Sequence, residues 1–271
     1  MLRTIVKLLL SPIRKTIFYE EIQAWSMSRD ILSGRFSEPE LELLEYAVKK
    51  NEIVIDVGAN FGMYTYPLSK IVGDSGRVFA YEPIPFTFRT LTKIIRKLSI
   101  RSVSLSNKAV SDKRGKVTFA VPLQTSGQLM AGQAHFFNRN DDHPGKETQV
   151  RWKHLTSLTC ETITLDEDID PSLDVSFIKI DIEGAEYFAF KGATRIIKNS
   201  TPSVLIEINP WFLSGFEITL DDLVGPFYKL GYELFRYQSQ KLRKITVSEE
   251  IVEDNYLLIH PKYLERFTDL L

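Results

Sequence analysis

Asp56 is followed at short spacing by Gly58, Asn60 and Gly62, and the run Ile53-Val54-Ile55 leads straight into them. A short, apolar, β-branched run of this kind reads as a strand buried on both faces. Asp56 then stands at the carboxyl end of the strand. The two glycines let the chain turn tightly and approach a ligand without a Cβ in the way. A second acid, Glu82, ends the next such run, Arg77 to Tyr81. A carboxylate there can accept both hydroxyls of a ribose. Open α/β sheets bind ligands at this edge, so the chemistry indicated is recognition of a nucleoside-bearing cofactor.

The same acid would also serve a nicotinamide dinucleotide. That fingerprint is G-x-G-x-x-G, which sets backbone amides against a pyrophosphate. Here the order is Gly58-x-Asn60-x-Gly62, with no third Gly or Ala where it is needed. An Asp two residues before the first Gly suits a ligand carrying an ammonium and a sulfonium better than one carrying two phosphates.

The elements that must position these residues follow from periodicity. Ser37-Glu38-Pro39-Glu40 carries a polar cap, an early Pro and acids, so it is expected to open a helix. The pattern then predicts helix over 64–72, strand over 77–81, helix over 85–98 and strand over 102–106. Strand over 175–180, helix over 185–198, strand over 203–208 and helix over 220–230 continue it. Alternation of this kind implies a parallel sheet with right-handed crossovers. Two last strands, 232–237 and 256–260, follow without a helix between them and imply an antiparallel hairpin. Two further strands are expected over 117–121 and 158–165. Between them, Pro122 to Gln149 is polar and poorly periodic, and is expected to form a lid over an acceptor.

The chain has 271 residues, 44% hydrophobic and 25% charged, with a formal net charge of -1. No linker divides it, so one domain over 37–271, with an insertion at 122–150, is expected behind an N-terminal helical extension, 1–36. Nothing in the charge or in any motif marks a nucleic-acid partner. A lone cysteine, Cys160, permits no internal disulfide and is read as a packed thiol in a cytoplasmic protein. Met1 to Lys15 mixes Leu and Ile with Arg3, Lys7, Arg14 and Lys15. It is too short and interrupted to span a membrane. It reads as a helix packed on the domain or on a second copy, or as a basic amphipathic helix on a membrane surface.

The block Ile55-Asp56-Val57-Gly58-Ala59-Asn60-Phe61-Gly62 resembles the first motif of FkbM-type methyltransferases. So do Tyr81-Glu82-Pro83, Asn107-Lys108-Ala109-Val110-Ser111-Asp112 with Gly115, and Leu165-Asp166. The most distinctive match is Lys179-Ile180-Asp181-Ile182-Glu183-Gly184-Ala185-Glu186, and Lys191-Gly192-Ala193 follows it. The resemblance spans about 52–209, with the boundary error usual in sequence reading. It implies a Rossmann-like, seven-stranded class I methyltransferase sheet binding S-adenosylmethionine. By resemblance, Asp56, Gly58, Asn60 and Gly62 line the methionine part, Glu82 takes the ribose, and Ala109 lies near the adenine.

Methyl transfer asks the protein to align acceptor, methyl carbon and sulfur and to exclude water. A hydroxyl acceptor also gains from a base. Asp181, ending the fourth strand on the edge shared with Asp56 and Glu82, is the first candidate, as base or as partner of the cofactor's ammonium. Glu207 and then His154 follow as candidate catalytic groups. Glu183 and Glu186 divide between chemistry and capping of the next helix. Asp181, Glu207 and Asn209 would offer oxygen ligands to a divalent cation, but pairing of Glu207 with a nearby Lys or Arg is favoured over a metal. The expected reaction is O-methylation of a small-molecule or sugar hydroxyl. The alternatives are a nicotinamide-dependent oxidoreductase on a similar fold and a non-catalytic cofactor-binding homologue.

Overall fold

A computed structural model describes residues 17–35, 38–122, 135–136, 155–246 and 251–271. The basic segment 1–16, Ser37, His154 and almost all of the 122–150 insertion lie outside the described residues. The chain opens with α1 (Ile17–Leu32), a 3₁₀ turn (Pro39–Leu43) and the short α2 (Leu44–Ala47). It continues through β1 (Ile53–Val57), α3 (Thr65–Val72), β2 (Arg77–Tyr81), α4 (Pro85–Lys97) and β3 (Val103–Ser106). Then come β4 (Ala109–Val110), β5 (Gly115–Pro122), β6 (His135–Phe136), β7 (Leu155–Ile163) and α5 (Leu165–Asp168). The second half holds β8 (Val175–Ile180), α6 (Glu186–Lys191), α7 (Thr194–Ser200), β9 (Ser203–Ile208), α8 (Pro210–Gly215) and α9 (Leu220–Tyr228). Strands β10 (Glu233–Gln238), β11 (Lys241–Ile245) and β12 (Asp254–Ile259), followed by α10 (Pro261–Leu264), close it.

The main sheet has the order β11-β10-β12-β9-β8-β1-β2-β3. Its central strands run parallel, and β12 enters antiparallel between β9 and β10. All seven strands expected in this sheet are present, with the two last ones paired antiparallel. The eighth, β11, was not expected. It joins β10 through a hairpin whose turn residues, Ser239 and Gln240, both have positive φ. That is the geometry of a tight primed turn, usually signalled by Asn or Gly. Alternate residues of the sheet bury into two layers. Ile55, Ile178, Ile180 and Val204 pack with α6, α7 and α9 on one side, and Val54, Phe177 and Leu205 pack with α2, α3 and the C-terminal helix on the other.

The helix expected from Ser37 begins instead as a 3₁₀ turn capped by Glu38, whose side chain makes no cap bond. Glu38 Oε2 accepts from the Tyr64 hydroxyl at 2.6 Å. The helix expected over 185–198 is two helices, broken at Gly192. A Cβ at Gly192 would lie 2.0 Å from the Ser111 carbonyl oxygen. This contact seats the second sheet, ordered β4-β7-β5-β6, against the first. Its long β5–β7 pairing is antiparallel and runs from Gly115↔Thr162 to Pro122↔Leu155.

Gly192→Ala is a purely steric change, since φ there is -81°. It should destabilise the chain by about 1–3 kcal/mol, the usual penalty for overpacking. Urea unfolding monitored by circular dichroism measures it, and an unchanged midpoint would remove this contact from the fold's support.

Candidate active site

A cavity of about 420 Å³ opens at the carboxyl edge of β1, β2 and β8. Asp56, Gly58, Asn60, Glu82, Ala109, Lys179, Asp181 and Glu183 all line it. The two acids expected at strand ends are therefore in one crevice with Asp181. The parallel register places Val57 beside Tyr81 on one side and Ile180 on the other, so the residues that follow these strands emerge together.

Glu82 joins two turns. Its Oε2 accepts from the Asn60 backbone N–H and its Oε1 from that of Ile84, both at 2.9 Å. Asn107 fixes the same turn by donating its side-chain amide to the carbonyls of Glu82 and Pro83. Each Glu82 oxygen keeps a further lone pair for a ligand. Asp56 accepts from the Thr65 hydroxyl at 2.5 Å, which holds the start of α3 against β1. Burial pushes the carboxyl of Asp56 up to about 6 and that of Glu82 up to about 7.

Lys179 is a site residue that sequence reasoning did not single out. It is 1% exposed, on the face of β8 that also buries Phe177. Its Nζ lies 3.3 Å from Asp181 Oδ2, 3.2 Å from Asn255 Oδ1 and 4.9 Å from the centroid of the Tyr64 ring. In the β1–β8 ladder it sits directly opposite Asp56, whose carboxyl its charge stabilises in the ionised form. A buried ammonium needs such partners, because desolvation alone would expel it. Asp181, with its side chain 37% exposed, gives one oxygen to Lys179 and faces the cavity.

Both glycines take the turn conformation that only glycine adopts readily. Gly58 has φ +84°, and a Cβ there would lie 2.0 Å from the Asp181 carbonyl oxygen. Gly62 has φ +92°, and its Cβ would meet Leu91 of α4 at 2.8 Å. Gly58 borders the cavity, yet both glycines are required by chain packing, and Gly62 turns away from the ligand space. Asn60, at φ 48°, has a buried side-chain oxygen with no hydrogen-bond partner. It faces the cavity and is available to a donor from a ligand.

Other acids separate by role. Glu186 Oε1 accepts from the backbone N–H groups of Ile182 and Gly184 and is buried, which assigns it to the turn before α6. Glu207 does not line the cavity. Burial and the neighbouring charges of Asp181, Glu183 and Glu186 raise its carboxyl far above the ordinary range, and Lys179 only partly offsets them. The Asn209 oxygen caps α8, accepting from Trp211 and Phe212. No group of three or more His, Cys, Asp or Glu positioned to hold a metal occurs among the described residues. Cys160 donates to the Pro83 carbonyl and its thiol is pushed up to about 11 by burial, as befits a packed thiol.

The remaining walls are apolar. Ile84, Ala109 and Phe119 form one, with Ala109 and Phe119 supplied by the second sheet. Met27 and Ile31 of α1, followed by Arg35 and Glu38, form another. Helix α1 is thus part of the site and not only an extension. It is held on α4 by ion pairs of Glu20 with Arg89 and of Glu21 with Lys93.

A doubly covered sheet of this order, with an acid-lined crevice at its carboxyl edge, defines an α/β class that takes its ligands at that edge. Residues 56–234 match the methyltransferase FkbM domain model, and the chain belongs to that family. Among solved structures, the chain is similar to methyltransferase FkbM from Methylobacillus flagellatus KT, at 16% identity and a TM-score of 0.46. That match covers 92% of this chain and 60% of that one. It is also similar to an S-adenosylmethionine-dependent O-methyltransferase from Thermotoga maritima, at 12% identity and a TM-score of 0.42, covering 86% and 69% of the two chains. Aeropyrum pernix fibrillarin, solved with natively bound S-adenosyl-L-methionine, matches at 11% identity and a TM-score of 0.40, covering 78% and 67%. No curated protein matches the chain.

The raised carboxyls set a pH dependence. Protons bound at Glu82, Asp56 and Glu186 persist in the folded state to about 7, 6 and 7, above the ordinary carboxyl value. Their contribution to stability is full below that ordinary value and is lost as pH rises through these folded values. In Glu82→Gln one such loss is absent, so its Tm should fall less than the wild type's between pH 5 and pH 8. Parallel Tm profiles would refute the burial of Glu82.

Proposed function

We propose that the chain is an S-adenosylmethionine-dependent methyltransferase that methylates a hydroxyl of a small molecule or sugar. The observation that carries this reading is the convergence of Glu82, Asn60 and Asp181 on one crevice in a chain of the FkbM family. The fit rests on the donor and acceptor set. Glu82 offers spare lone pairs to a diol, the unpartnered Asn60 oxygen awaits a donor, and the apolar wall of Ile84, Ala109 and Phe119 suits a flat base. Bound there, S-adenosylmethionine supplies a methyl group on a positively charged sulfur.

In this reading Glu82 holds the ribose and Ala109 borders the adenine, while Asn60 and Asp56 stand at the methionine end. Lys179 is a positioning residue that fixes the Asp181 carboxylate. Asp181 accepts the acceptor's proton through the oxygen that Lys179 leaves free. The apolar walls keep water from the reacting atoms. The nicotinamide alternative loses its support with the family assignment.

Glu82→Ala should weaken binding of S-adenosylhomocysteine at least about tenfold, because hydrogen bonds to a charged group contribute about 1.5–3 kcal/mol each. Isothermal titration calorimetry checks it. An unchanged Kd would take Glu82 out of the site, and binding of NADH in place of S-adenosylhomocysteine would end the methyltransferase reading.

A further inference from the structure

Helix α1 has two unlike faces. Tyr19, Gln23 and Ala24 are buried on the side packed against α4. The other side presents Phe18, Ile22, Trp25 and Leu32 to solvent, 75%, 37%, 49% and 59% exposed. These four account for most of the six exposed large hydrophobic residues among the described residues. Their spacing puts them on one helical stripe. Exposed single hydrophobic residues are ordinary, but a run of four on one face marks a contact surface.

Positive charge borders this stripe. The Arg29 guanidinium lies 4.8 Å from the centroid of the Trp25 ring. Arg96 and Lys97 are exposed on the adjoining α4, where Arg89 is paired with Glu20. Glu21, the acid next to the stripe, is neutralised by Lys93 at 2.6 Å. The sequence immediately before the helix, residues 1–16, contains Arg3, Lys7, Arg14 and Lys15, no Asp or Glu, and Leu2, Ile5, Val6, Leu8, Leu9 and Leu10. All this basic character is local, since the whole chain is formally -1. No described helix is long and apolar enough to cross a membrane.

We infer that α1 docks the protein on an anionic membrane surface. The Phe18–Ile22–Trp25–Leu32 stripe enters the headgroup boundary, and the flanking Arg and Lys side chains meet lipid phosphates. Trp and Arg suit that depth, each having an apolar body and a polar end. Apolar contact and anionic-lipid attraction add in such a helix. A second copy of the chain is the poorer occupant, because meeting through this stripe would set one basic border against another. The inference is independent of the methyl-transfer reading.

Co-sedimentation of the full chain with vesicles tests it. The chain should pellet with phosphatidylcholine–phosphatidylserine vesicles, far less with phosphatidylcholine alone, and less again as salt is raised. The double variant F18E/W25E alters only exposed positions and should keep the wild-type circular dichroism spectrum and Tm. Its partition onto the mixed vesicles should fall at least about tenfold, as expected when two interfacial aromatics become acids. Wild-type chain left in the supernatant with anionic vesicles would overturn the inference, as would full binding by F18E/W25E. A lipid-free dimer in sedimentation velocity that F18E/W25E dissolves would reassign the stripe to self-association.

Discussion

Charge buried at the carboxyl edge of a parallel sheet is the constraint on which this molecule turns. Asp56, Glu82 and Lys179 are each nearly removed from water. Unpaired, any one of them would oppose folding by several kcal/mol. Backbone amides of two turns satisfy Glu82, the Thr65 hydroxyl satisfies Asp56, and Asp181, Asn255 and the Tyr64 ring surround Lys179. The partners come from β1, α3, β2, β8 and β12 and the turns between them. Pairing these charges therefore requires most of the sheet to be assembled in register. The ligand space and the fold's specificity arise from the same few contacts.

The second sheet completes the crevice from outside the doubly wound core. It brings Ala109 and Phe119 over the turn after β2, where Asn107 and Cys160 bind the Glu82-Pro83 carbonyls. The close approach of Gly192 to Ser111 sets the distance between the two sheets. A nucleoside-sized space can stay open there because its walls are held by packing that does not depend on the ligand.

How much of this was legible in the sequence depended on whether the signal was local. Strands β1, β2, β8 and β9 are largely apolar runs ending in turns, and the acids at their ends stand out for that reason. Lys179 hid inside such a run, because its partners Tyr64 and Asn255 are distant in sequence and only the register reveals them. Strand β11 reads Lys-Leu-Arg-Lys-Ile, an edge strand with charged side chains, and its turn lacks Gly or Asn. The break between α6 and α7 was hidden for a different cause, since one glycine in a helical pattern is ordinarily tolerated. The tight turn at Gly58 and Gly62 is legible from the glycines themselves, but the atoms a Cβ would meet there belong to β8's exit and to α4.

The family match begins at Asp56, yet Met27, Ile31, Arg35 and Glu38 wall the same cavity from upstream. Glu38 also takes the hydroxyl of the tyrosine whose ring lies against Lys179. The sheet and its acids form a platform within the matched span, whereas this flank is a separate cheek laid against it from upstream. Any truncation drawn at the start of the matched span would strip away that cheek and leave the cavity open along one side.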